Sequence, residues 1–125
     1  MKKTYTTEQL EQMNNEMLTT IEKVEVFTKE CQAIEENFFN FSLLALNNLM
    51  YDKKDHAEKL VKDVREIARL YLYVEDDEEL IETYVYDTYW ELLKALSFTE
   101  DLIDYYDEQL ANIRMMQECY FPSKH

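Results

Sequence analysis

The sequence predicts an all-α fold, an elongated helical bundle of three long or four medium helices. Three observations carry this: there is no glycine, the one proline is Pro122 close to the end, and apolar residues recur at spacings of three and four. Without glycine or internal proline the chain lacks most of the turn chemistry that hairpins need. Leu, Glu, Lys, Gln and Met, all good helix formers, fill the long stretches that remain. At 125 residues the chain fits a single helical domain, 1–125 with 121–125 a short polar tail. A domain of this size buries roughly two-thirds of its unfolded surface.

Thr6, with Gln9 three residues later, forms a capping box that starts helix one. Behind it runs a stripe of Leu10, Met13, Met17, Val24, Phe27, Cys31, Ile34, Phe38, Phe41 and Ala45, broken only by Thr20. The pattern allows one unbroken helix over 7–51, or a kink at Asn14-Asn15, Asn37 or Asn47-Asn48, where the weakest helix formers sit. A straight helix of that length would outrun the second and expose an apolar end, which predicts self-association as a homodimer.

Asp52-Lys53-Lys54-Asp55 reads as punctuation, and Asp55 with Glu58 reads as a second capping box opening a helix over 56–74. Its apolar face is Ala57, Leu60, Val61, Val64, Ile67, Ala68, Tyr71 and Val74. Lys62, Arg65 and Arg69 form a basic face, either solvated and internally paired or available to a phosphate. Asp76 or Asp77 caps a third helix with Ile81, Val85, Thr88, Leu92 and Leu96 as its inner stripe, while Tyr86, Trp90 and Leu93 fall on a second face. Near Ser97 two readings stand. Either the helix continues, or Thr99 caps a fourth helix with Phe98 and Ile103 as its staple. In both, Leu102, Ile103, Tyr106, Leu110, Ile113 and Gln117 carry the stripe to Tyr120, and Pro122 ends it.

Charge is concentrated. The chain nets −14, and between Glu75 and Glu108 there are 13 Asp or Glu against one basic residue, Lys94. Such a surface repels phosphate backbones and anionic lipid, so direct nucleic-acid or membrane binding is disfavoured. The most apolar window, Phe38 to Met50, is too short to span a bilayer and is interrupted by asparagines. Cys31 and Cys119 form no CxxC pair and read as two free thiols serving as small buried hydrophobes. With Lys2 and Lys3 followed by polar residues in place of an apolar run, a cytoplasmic location is expected.

Catalytic chemistry has little to work with. The histidines are His56 and His125, no Glu-x-x-His motif occurs, and phosphate loops of the glycine-rich type need residues this chain lacks. No cofactor, no metal and no catalytic role are expected. One pattern is enzyme-like: Glu78-Glu79-x-x-Glu82 followed by Asp101-x-x-Asp104. It resembles the paired carboxylate motifs of the MazG-like all-α nucleotide pyrophosphohydrolases. That resemblance implies Mg²⁺ held between two antiparallel helices at a nucleoside triphosphate. Asp101 stands where the family has Glu, and the family's intervening loop is missing.

The remaining signal is the acidic, aromatic surface. Glu75, Glu79, Glu82, Asp87, Glu91, Glu100, Asp104 and Asp107 recur at helical spacing, with Tyr86 and Trp90 as an aromatic anchor. In composition the chain is similar to phage-encoded nucleic-acid mimics such as antirestriction and anti-CRISPR inhibitors. This implies an acidic inhibitor that blocks the basic cleft of a nuclease or other nucleic-acid-binding enzyme. The alternative is a helical adaptor or coiled-coil protein whose carboxylates keep it in solution.

Overall fold

Asn37 ends the first helix, and that break sets the architecture. In the computed structural model, which describes residues 4–120, α1 spans Thr7–Glu36, α2 Leu43–Leu70, α3 Glu78–Ile81 and α4 Tyr84–Tyr120. Short 3-10 turns at Phe38–Asn40 and Leu72–Glu75 join α1 to α2 and α2 to α3. Of the described residues 91% are helical and none is in a strand, as the all-α reading predicts. Three long helices and one single-turn helix make the bundle, and the expected polar tail at 121–125 lies outside the described residues.

The expected capping box forms: the Gln9 amide donates to Thr6 Oγ1 at 3.1 Å and the Thr6 amide to Gln9 Oε1 at 2.9 Å. At the other end of α1 the Asn37 side chain donates to the Ala33 carbonyl at 2.9 Å, offering the backbone an alternative to the next helical turn. Helix one is therefore not the single element over 7–51 that its stripe also permits. Ser42 restarts the helix by accepting from the Ala45 amide at 3.1 Å.

The predicted start of helix two at Asp55 is corrected. Helix α2 runs without interruption through 52–56, and three of the four polar residues are used for pairing instead. Lys53 reaches Glu30 on α1 at 3.2 Å, Lys54 reaches Asp107 on α4 at 2.5 Å, and Asp55 pairs with Lys59 one turn on at 3.0 Å. Its far end is also corrected, from 74 to Leu70, where the 3-10 turn begins. Asp77 caps α3 as expected, accepting from the Glu79 amide at 3.0 Å. That helix lasts a single turn, because the Thr83 hydroxyl donates to the Leu80 carbonyl at 2.7 Å and α4 restarts beyond it. No break occurs at Ser97. Thr99 is fully buried inside α4, its hydroxyl donated back to the Ala95 carbonyl at 2.7 Å, and Phe98 is exposed and staples nothing.

Cross-links fix the directions. Glu16 pairs with Tyr71 and Glu30 with Lys53, so α1 and α2 are antiparallel. Arg65 with Glu100 and Lys54 with Asp107 make α2 and α4 antiparallel. Asn14 with Thr88 and Glu35 with Tyr105 make α1 and α4 parallel. The core between them comes from a 4-3 repeat on α1 (Met13, Met17, Thr20, Val24, Phe27, Cys31) and another on α4 (Val85, Tyr89, Leu92, Thr99, Tyr106, Leu110, Ile113). From α2 come Leu46, Met50, Ala57, Leu60, Val64 and Ala68. Thr20, read as the flaw in the first stripe, is buried, its hydroxyl donated to the Glu16 carbonyl at 3.1 Å. The inner stripe of α4 is corrected at its start: Tyr89 is in the core, Ile81 is exposed, and Thr88 faces Asn14. Cys31 is buried as expected, and burial pushes its thiol pKa up, whereas Cys119 is exposed.

Candidate partner-binding surface

The ten candidate residues do not form one ladder. Glu91 and Glu100 are nine residues apart on a continuous α4, and at 100° per residue they lie on opposite sides of it. Asp87 and Asp107 are separated by about 30 Å along the axis. The helical spacing is therefore real, but it winds around α4 and supplies two separate groups.

The first group sits at one end of the bundle. Glu75 closes the 3-10 turn, Glu79 lies half-buried in α3, and Glu82 and Asp87 are exposed beside the start of α4. Tyr86 and Trp90 pack edge to face with ring centroids 6.0 Å apart, and Tyr89 and Trp90 do so at the same distance. Trp90 remains 37% exposed. The buried Tyr89 hydroxyl is pushed above its usual pKa first by desolvation and then by the charges of Glu75 and Asp76, which places these carboxylates close to the aromatic cluster. Glu91 lies at the border of this group and pairs with Lys94 at 3.1 Å.

The second group faces α2. Asp107 is held by Lys54 at 2.5 Å and Glu100 by Arg65 at 3.9 Å, while Asp104 lines the groove that Glu58, Lys62 and Arg65 share with α4. Two of these three carboxylates thus meet a cation of α2, and Arg65 of the basic face is one of the two.

Structure adds residues that spacing could not supply. The parallel packing of α1 on α4 brings Glu8, Glu11 and Glu16 to the same end as the first group. Tyr5 donates to Asp77 at 2.8 Å, Tyr71 donates to Glu16, and Thr88 donates to Asn14. Residues 4–17 and 70–93 together contain eleven Asp or Glu and no Lys or Arg. Lys23 on α1 shares a groove with Glu16, and Arg69 and Lys94 flank the second stretch in the chain. No local signal in residues 4–17 announces this placement, because it arises only from the register of α1 on α4.

The two halves of the enzyme-like pattern are not brought together. Glu78, Glu79 and Glu82 precede α4, whereas Asp101 and Asp104 lie about 25 Å along it. Among the described residues no group of three or more His, Cys, Asp or Glu side chains is placed to hold a metal ion. Nor is any helix among them long and apolar enough to cross a membrane. Comparisons with protein-family models, curated proteins and solved structures return no match.

Proposed function

We propose that this protein is an acidic binding module that inhibits a nucleic-acid-processing protein by docking its charged end in the basic cleft where nucleic acid would lie. A defence nuclease is the partner class this reading names. The observation that carries it is the joining of Glu8 and Glu11 to Glu75, Glu79, Glu82 and Asp87 at one end, in stretches of chain without Lys or Arg, around the half-exposed Tyr86–Trp90 pair. Like charges gathered at one end oppose folding where they have no partner, and solubility would be served as well by an even spread. Basic clefts attract such a surface through the same sequence-independent force that draws a phosphate backbone. The aromatic pair adds contact area that a simple polyanion lacks.

The docking residues in this reading are Glu75, Glu79, Glu82, Tyr86, Asp87, Trp90 and Glu91, with Glu8 and Glu11 added from α1. Capture of partners from a lysate, followed by titration against salt, tests it. Binding should weaken steeply as the Debye length falls from about 10 Å at 0.1 M to about 3 Å at 1 M. Asp87→Lys should slow association, Trp90→Ala should mainly speed dissociation, and duplex or guide RNA should compete directly. A partner indifferent to salt, to charge reversal and to nucleic acid would sink this reading. It would favour an adaptor that uses the apolar groove between α1 and α4, lined by Ile21, Val24, Ala95 and Phe98.

A further inference from the structure

Trp90 is the only tryptophan of the chain, and it stands 37% exposed beside the acidic end. One turn of α4 supplies its neighbours. Tyr86 lies four residues before it and Asp87 three, spacings that bring side chains together on a helix surface, and Glu91 follows it directly. The planes of Tyr86 and the indole meet at 76° and those of Tyr89 and the indole at 70°. Tyr89 is buried, so the indole leans on a fixed wall.

The chain does not spend one of its own cations on this ring. Among the described residues the cation set over an aromatic ring is Lys53, 5.8 Å from the centre of Phe27. Lys94, four residues beyond Trp90, turns to Glu91 at 3.1 Å. Asp87 is exposed and has no ion pair among the described residues. Glu75 and Asp76 lie near enough to Tyr89 to raise its pKa. Aromatic surface and carboxylate charge therefore meet at one place, and both attract a cation.

The chemistry of the place decides which side chain suits it. An apolar anchor would cover the indole but would draw Asp87 and Glu91 out of water with nothing to pair them. An ammonium answers the carboxylates, yet it is compact and strongly hydrated and gains little from the ring. A guanidinium is planar and weakly hydrated, so it packs against an aromatic ring while its N–H groups donate to carboxylates beside it. Resting on the docking role proposed above, we infer that the partner's anchor is an arginine side chain, packed against the Trp90 indole and donating to Asp87 and Glu91. Lys94 gives way to it. The Glu91–Lys94 pair lies on the surface, with both side chains more than half exposed, and contributes little to stability. Trp90 with its neighbours thus selects arginine over lysine, and is more than added contact area.

Arginine and lysine oligopeptides of equal length, acetylated and amidated, test this against the full chain, with binding read from the anisotropy of a labelled peptide. Trp90 emission is a second readout, since no other tryptophan contributes. Both peptides should bind, and both should weaken with salt. The arginine peptide should bind about two- to fivefold more tightly and at saturation should change Trp90 emission more than the lysine peptide does. Trp90→Leu keeps an apolar side chain, so circular dichroism should remain that of the folded bundle, and the two affinities should become equal. Trp90→Phe, the milder change, should keep part of the preference. Equal affinities for the wild-type chain with Trp90 emission unmoved overturn the inference and leave docking at the acidic end standing. An arginine preference that survives Trp90→Leu in full also overturns it, because the carboxylates alone would then account for the choice. Failure of both peptides to bind overturns the docking role and the inference together.

Discussion

Tyrosine hydroxyls clasp α1 to the rest of the bundle through carboxylates: Tyr5 to Asp77, Tyr71 to Glu16 and Tyr105 to Glu35. In each case desolvation first, and the hydrogen bond to a carboxylate second, favours the neutral phenol. The pKa is pushed up to about 12 for Tyr5 and for Tyr105, and upward for Tyr71. A raised folded-state pKa contributes stability that is fully present below the unfolded value of about 10 and is lost as pH climbs through the folded value. Urea midpoints should therefore hold steady up to about pH 10 and fall between about 10 and 12. The triple variant Tyr5→Phe, Tyr71→Phe, Tyr105→Phe should show a shallower decline. An equally steep fall in that variant would show that other groups carry it. Two threonines teach a related lesson. Thr20 and Thr99 read from the sequence as a flaw and a cap, yet both are buried with their hydroxyls returned to the preceding turn. Thr99→Val keeps the volume and leaves the Ala95 carbonyl its helical partner, so it should cost less than about 1.5 kcal/mol, whereas Leu92→Ala, at a fully buried site, should cost about 2–5. Chemical denaturation separates the two.

The elements that were legible in the sequence are those where a local signal and the apolar repeat agree. Thr6 with Gln9 marks the start of α1, Asp77 marks the start of α3, and the stripe from Met13 to Cys31 is the observed core face. Where the two signals conflict, the repeat wins. Asp55 and Thr99 carry capping patterns, but Leu46, Met50, Ala57 and Leu60 on α2, and Leu92, Tyr106 and Leu110 on α4, keep one phase through them. Packing on a continuous face outweighs a cap worth about 1 kcal/mol. The break at Asn37 could be suspected, since asparagine is a poor helix former, but the restart at Ser42 lacks the Glu or Gln that would advertise a capping box. Ser42→Ala should lower stability by about 1 kcal/mol, read as a shifted urea midpoint with unchanged slope. Should the midpoint not move, the connecting turn and not the Ser42 hydroxyl sets the start of α2. The candidate surface was legible only in part for the same reason. Spacing identifies carboxylates on a helix, but which of them face Lys54 and Arg65, and which meet Glu8 and Glu11, depends on how three helices are phased against one another.

At the scale of the whole molecule, negative charge is gathered at one end of the bundle, and this gives stability and binding opposite demands. Acidic-end carboxylates without an ion pair, such as Glu79, Glu82 and Asp87, repel one another in the folded state more than in the expanded chain, and this repulsion opposes folding. Those facing α2 are paired and contribute a little to it. Removing charge should therefore act in opposite directions at the two groups. Glu79→Gln, Glu82→Gln and Asp87→Asn combined should raise the urea midpoint, most visibly at low salt, because the repulsion they relieve is what salt otherwise screens. Glu100→Gln with Asp107→Asn should lower the midpoint slightly, through loss of the partners of Arg65 and Lys54. Binding of a captured basic partner should rank the variants the other way. The first set should abolish most of the salt-dependent affinity while stabilising the fold, and the second should leave affinity nearly intact. A surface retained at the expense of stability is what a binding role requires, since residues kept only for solubility need not be crowded where they oppose folding. If the first set leaves stability unchanged and binding unchanged, the carboxylates around Trp90 are spectators, and the exposed apolar residues become the surface to test.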